Sequence, residues 1–151
     1  MLEKLCLWLS KRLPHITIQI PDPVIGKLEP YLTRYYLFGA DRKWGNIFLH
    51  HFHSGDKDLE LHNHPWSWSF GLILTGGYIE ERRMPDDSVR KRRVKPGKFN
   101  YITNKDFHRV ELLDKDAWTL FVAGPRTQEW GFWDRYTKRF RDWRTNPNAI
   151  E

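Results

Sequence analysis

The chain has 151 residues, 40% hydrophobic and 15% aromatic, with eight Trp and a formal net charge of +6. That length suits one domain with its own core, read as a single unit over 1–151, and the apolar content argues against wholesale disorder. One cysteine, Cys6, excludes an intramolecular disulfide framework and suits a reducing, cytoplasmic setting, and no apolar run approaches the roughly 20 residues of a membrane-spanning helix. The basic balance favours anionic partners without choosing among phosphate, carboxylate, nucleic acid and membrane surface.

Leu2, Leu5, Cys6, Leu9 and Leu13 fall at helical spacing and predict a short helix over 2–13. Lys11 and Arg12 suit its last turn and Pro14 stops it. Its apolar centre is too short for a signal peptide and no small-residue cleavage site follows. The helix is expected to pack across the domain or against a second copy rather than on a membrane.

Ile16, Ile18 and Ile20 alternate on a strand over 15–20, broken by the prolines at 21 and 23. A strand over 31–38 leads to a turn at 40–45. A third, over 46–54, carries His50, His51 and His53. The loop at 54–58 delivers His62-Asn63-His64-Pro65-Trp66, which opens an apolar run closed by Gly76-Gly77. Strands follow over 78–83, 89–94, 99–102, 107–113 and 117–123, with turns at 84–88 and 95–98. The charged, aromatic tail from 133 is expected to fold back as a helix with a frayed end at 146–151. Eight or so short strands with helix only at the ends predict an all-β sandwich or barrel.

In an extended chain His62 and His64 point to one face, a two-tooth metal clamp at the mouth of a strand. From His64 to Ser69 is an odd step, so both cannot face inward on a regular strand. Pro65 cannot donate to a ladder, and a bulge or kink beside it would reset the alternation. Without that kink Trp68 would point at the metal.

The segment resembles the cupin superfamily, whose first motif runs Gly, His-x-His, three or four residues, Glu, six residues, Gly. His62-x-His64 and Gly76 match, and Ser69 stands where the Glu would fall. His108, in Asp106-Phe107-His108, sits where the family's second motif supplies a later His; Thr103 and Lys105 replace that motif's Pro and Gly. The His-x-His-Pro-Trp run, Leu74-Thr75-Gly76-Gly77-Tyr78-Ile79-Glu80 and Trp130-Gly131-Phe132-Trp133 look like a cupin subgroup with few assigned functions. Over about 31–133 the resemblance implies a jelly-roll (double-stranded β-helix) barrel, here with a short N-terminal helix. It implies a metal site of His62, His64 and His108.

Three imidazoles suit Fe, Zn, Ni and Cu and leave positions open for substrate. With Ser69 in place of the acid, a divalent ion keeps its charge and favours an anionic ligand. The three-His pattern resembles the thiol-dioxygenase type of cupin, so Fe(II) is favoured, with Zn(II), Ni(II) and Mn(II) open. His50, on one strand face with Phe48 and Phe52, is placed as a general base or as an interior hydrogen-bonded group. His51 and His53 read as structural. Tyr101 is placed as a hydrogen-bond donor at the metal centre, and Arg126 as a clamp for carboxylate or phosphate. Glu80 and Glu81 either replace the missing acid or pair with Arg82 or Arg83. The basic run Arg90-Lys91-Arg92-Arg93 lies on a hairpin with few interleaved aromatics, which speaks against nucleic acid.

Three functions stay open. One is a metal-dependent dioxygenase acting on a small anionic organic substrate. The second is a metal-independent sugar-nucleotide isomerase or epimerase. The third is a non-catalytic ligand-binding cupin. The apolar helix and open sheets invite a homodimer.

Overall fold

The computed structural model describes residues 1–22, 25–39, 43–57 and 59–145. Parts of the turns expected at 21–23 and 40–45 and of the loop at 54–58, and the frayed end at 146–151, lie outside those residues. Helix α1 (Leu2–Ser10) precedes β1 (His15–Pro21), β2 (Leu28–Tyr36) and β3 (Asn46–Phe52). Then come β4 (Leu61–His62), β5 (Trp68–Thr75), β6 (Tyr78–Arg83), β7 (Val89–Val94) and β8 (Phe99–Thr103). The chain continues through β9 (His108–Leu112), β10 (Ala117–Ala123), β11 (Gly131–Asp134), β12 (Arg139–Asp142) and a 3-10 turn at Trp143–Thr145.

The strands form two six-stranded sheets, in the orders β1-β2-β3-β10-β5-β8 and β12-β11-β4-β9-β6-β7. All pairings are antiparallel. The sheets share an interior: Ile73 of the first packs with Tyr78, Val94 and Val110 of the second. Strand β3 is covered on both faces. Leu49 packs with Cys6, Tyr35 and Trp118 beneath α1, while Phe48 packs with Phe121, Ala123 and Trp66 on the other side. Only Cys6 of α1 is fully buried, and Leu2, Leu5, Leu7 and Trp8 are about half exposed. The helix ends at Ser10, short of Leu13, because Arg12 and Leu13 both turn their amides back onto the Leu9 carbonyl ahead of Pro14.

The tail departs from the helix expected of it. Gly131–Asp134 alternates buried and half-buried residues, a period-two pattern that adds β11 to the edge of β4. The Asp134 carboxylate accepts the amides of Tyr136 and Thr137 at 2.7 and 3.1 Å, and Lys138 takes φ +57°, so the chain reverses into β12.

Candidate metal centre

The run from His62 to Thr75, expected to be extended with a kink beside Pro65, is divided between the sheets. His62 ends β4, β5 begins at Trp68, and 63–67 cross from one sheet to the other. The crossing is held at several points. Asn63, 6% exposed, turns its side chain away from the imidazoles: its Oδ1 accepts the Gly131 amide at 2.8 Å and its Nδ2 donates to the Asn104 carbonyl. Gln128 Nε2 donates to the carbonyls of His64 and Asn104 at 3.1 and 2.8 Å. Pro65 accepts from the Thr127 amide, and Ser67 donates to the Pro125 carbonyl. A proline that donates nothing is tolerated because the partner segment supplies the donors. The crossing resets the alternation, so Trp68 is exposed and Ser69 is 1% exposed.

His62 pairs with His108 of β9 in the sheet register, and His64 reaches the same point from the crossing. One ring nitrogen from each of His62, His64 and His108 lies within 4.8 Å of the other two. His64 Nε2 and His108 Nε2 are 2.8 Å apart. Burial pushes His62 down to about 4, with Asp56 opposing the shift and His108 and Arg109 adding to it. Burial likewise holds His64 well below the usual imidazole range, helped by the neighbouring His108, His62 and Arg34. These two rings are therefore neutral at physiological pH, the form that binds metal.

Carboxylates stand behind two of the rings. Glu80, 1% exposed, accepts from His108 Nδ1 at 3.0 Å, which directs Nε2 toward His64. Its other partners are Arg82 at 2.8 Å, Asn100 at 2.7 Å and Arg92 at 3.0 Å. Burial raises the Glu80 carboxyl, but the contacts from His108, Asn100 and Arg82 outweigh it and hold the pKa far below the carboxylate range. Asp56 Oδ2 lies 3.8 Å from His62 Nδ1, near enough to act by charge, while Tyr31 and the Val110 amide hold it at 2.7 and 2.6 Å. A carboxylate behind a metal-binding histidine fixes its ring and strengthens its donor atom. Negative charge thus sits one residue back from the ring nitrogens, and Ser69 bonds the Ile102 carbonyl instead.

The remaining candidates separate. His50 is 3% exposed, stacked on Phe121 at 4.7 Å, and lies in the interior with Phe48 and Phe52. Tyr101 is 55% exposed on β8, so the structure does not bring it to the imidazoles as expected; strand alternation sends Asn100 and Ile102 inward instead. Arg126 is also exposed and ion-pairs with Glu129 at 3.0 Å, although its backbone bridges to Trp66, whose ring stacks on His64. His51 stacks on Trp118 and meets Asp116 at 3.0 Å, and His53 meets Thr33 at 2.8 Å. On the basic hairpin Arg82 and Arg92 serve Glu80, Lys91 pairs with Glu81, and Arg83 with Asp87.

Sequence reasoning missed Arg34. It lies on β2 opposite His50, and its Nε donates to His50 Nε2 at 3.2 Å. Its guanidinium sits 4.9 Å from the Phe48 ring centre and 5.4 Å from that of Trp66. The signal was available: Leu32, Arg34 and Tyr36 share one strand face, and an arginine between two apolar neighbours there is out of pattern. Asp56 left no such signal, because only long-range bonds from Tyr31 and Val110 place its loop.

No protein-family model and no curated protein matches the sequence. Solved structures match in fold. One is Fe(II) HppE in complex with substrate (12% identity, TM-score 0.56, 75% of this chain and 57% of that one). Hydroxypropylphosphonic acid epoxidase from S. wedmorenis is similar (13%, TM-score 0.52, 75% and 56%). So is recombinant oxalate oxidase in complex with glycolate (17%, TM-score 0.51, 67% and 53%). The chain spans little more than half the length of each. These are cupin-fold proteins, and the chain has the cupin fold, two antiparallel sheets around a common interior.

Proposed function

We propose that the protein is a metal-binding cupin holding one divalent ion, Fe(II) by preference, through His62, His64 and His108. On this reading it is an oxidoreductase of the dioxygenase type acting on a small anionic organic substrate. The observation that carries it is the convergence of three ring nitrogens within 4.8 Å, one of the rings backed by a buried carboxylate. The donor set fits: nitrogen-only ligation suits Fe(II), Zn(II), Ni(II) or Mn(II), and three ligands leave positions for substrate. Two structural neighbours are described as an Fe(II) protein with substrate and an oxalate oxidase with glycolate.

A bound ion would supply Lewis acidity and a template for oxygen and substrate. The chain supplies the rest. Glu80 keeps the proton of His108 on Nδ1 and frees Nε2. Asn63 and Gln128 fix the backbone that carries His64. Trp66 and Phe121 flank that ring with apolar surface. His50 is kept neutral by burial and the charge of Arg34, whose Nε–H it accepts at Nε2.

The same reading makes the chain a single domain whose sheets close as a jelly roll, in a cytoplasmic setting that keeps Cys6 reduced, with a homodimer as its assembly. Among the described residues no helix is long and apolar enough to cross a membrane. Elemental analysis of untagged protein reconstituted anaerobically with Fe(II) tests the centre. The wild type should hold close to one equivalent, and His64→Ala and His108→Ala far less. Less than about a tenth of an equivalent in the wild type would refute it, and oxygen uptake with small carboxylates and phosphonates then tests the chemistry.

A further inference from the structure

An antiparallel sheet with one solvated face alternates apolar residues inside and polar residues outside. The second sheet follows that rule. On its outer surface Glu81 of β6 stands opposite Lys91 and Arg109, and Ile79 lies between Arg93 and Glu111. The first sheet departs from it. Along β5 the inward positions include Ser69 and Gly71, whereas Trp68, Phe70, Leu72 and Leu74 point outward. Cross-strand partners share a face, so Phe99 and Tyr101 of β8 and Leu120 and Val122 of β10 join them. No outward position of β5, β8 or β10 carries a charge.

Helix α1 covers one half of this apolar face, over Tyr35, Leu49 and Trp118. The other half is bare. Trp68, Phe99 and Tyr101 are 39, 59 and 55% exposed, and Phe70, Leu72, Leu120 and Val122 are half-buried. The rings are already ordered in the single copy. Phe70 and Phe99 pack with centroids 5.0 Å apart, and Trp68 lies against Gly124, where a Cβ would come within 2.6 Å of the indole nitrogen. Strand β8 is the last of its sheet, so the patch runs out to an open edge. A broad, flat, uncharged patch of this kind marks a contact surface.

We infer that a second copy of the chain docks on this outer face of β5, β8 and β10, the two patches packing on each other about a twofold axis. The area suits such a pair. The exposed aromatics and their half-buried neighbours offer about 500 Å² of apolar side chain per copy. Homodimer interfaces are about two-thirds apolar, so two such patches imply a contact on the order of 1,500 Å², the size of a stable complex. Charge selects the sheet over the helix. The outer side of α1 sets Lys4, Lys11 and Arg12 around Leu7 and Trp8, and two copies meeting there would bring like charges together. The sheet patch meets itself without that cost, although each copy carries a net +6. The inference rests on the homodimer of the proposed reading, names the surface that makes it, and is independent of the metal.

The test is sedimentation equilibrium of the full chain from about 1 to 100 μM, a range that brackets a micromolar dissociation constant. The wild type should approach twice the chain mass. Phe99→Glu and Tyr101→Glu each set a carboxylate in the patch, facing its own copy, and should weaken association by about thirtyfold or more. Both sites are over half exposed in the single copy, so each variant should keep the circular dichroism spectrum of the wild type. Leu7→Glu, on the outer side of α1, is the control and should stay dimeric. A wild type that remains monomeric at about 100 μM, or a dimer unmoved by both sheet variants, would overturn the inference. So would a dimer lost only in Leu7→Glu, which places the contact on the helix. Fe(II) content measured on the same samples separates the two readings: a dimer without metal would sink the metal centre alone, and a metal-loaded monomer would sink the docking face alone.

Discussion

Replacing Glu80 with Gln tests how far a group that touches no ligand position controls the metal centre. The substitution keeps the volume and one carbonyl oxygen but removes the charge on which Arg82, Asn100, His108 and Arg92 converge. If the amide oxygen stays with the first three donors, the NH2 faces Arg92, whose side chain is 46% exposed and can turn to water. The loss is then close to one charge-assisted hydrogen bond, about 2 kcal/mol. In a chain of this size that lowers Tm by roughly 4–8 °C. A weaker hold on His108 should also reduce Zn(II) or Co(II) affinity by about 10–100-fold. Competition titration with a chromophoric chelator measures the second effect and circular dichroism melting the first. Arg92→Gln is the control, because it breaks the same ion pair without touching His108 and should cost stability alone. Metal affinity within about twofold of wild type in Glu80→Gln, with the melt lowered as expected, would show that Glu80 is only a counter-ion for its arginines.

Gly76 takes φ +71°, and a Cβ there would lie 2.2 Å from the Asp116 carbonyl oxygen. Gly76→Ala should therefore destabilise by about 2 kcal/mol or more, read as a lower urea midpoint; an unchanged midpoint would contradict the tight turn between β5 and β6. Glu81 gives an acid-stability prediction. Burial raises its carboxyl, but hydrogen bonds from Lys91 and Arg135 and the charges of Arg135 and Arg109 outweigh that and lower it from 4.5. A folded pKa below the unfolded one means the stabilisation is present above about 4.5 and lost as pH falls through the lowered value. The Tm of wild type should drop more steeply than that of Glu81→Gln between about pH 5 and 3, and parallel curves would refute the coupling.

Much of the architecture was readable from local pattern. Strands β1, β3, β6, β7 and β10 lie within a residue or two of where alternation and turn residues place them, since a period of two shows up over six or seven residues. The tail misled because its aromatic and charged residues suit a helix turn as well as a hairpin, and the edge of β4 decided between them. Tyr101 misled for a related reason: on β8 its inward neighbours Asn100 and Ile102 are the residues that the second sheet covers.

What the linear chain settled by itself is the His-x-His clamp, its proline, and a later histidine of the right spacing. Those are short-range features that bond geometry and strand parity constrain. Packing alone determined which charges stand around the imidazoles. Glu80 and Asp56 sit 28 and 52 residues from His108, yet both reach β9, the first through the His108 ring and the second through the Val110 amide. Arg34 and His50 meet because β2 and β3 pair in one register, and a one-residue slip would turn both side chains to the opposite face. Burial then converts these ordinary side chains into neutral ligands and a fixed carboxylate, and burial is a property of the assembled sheets.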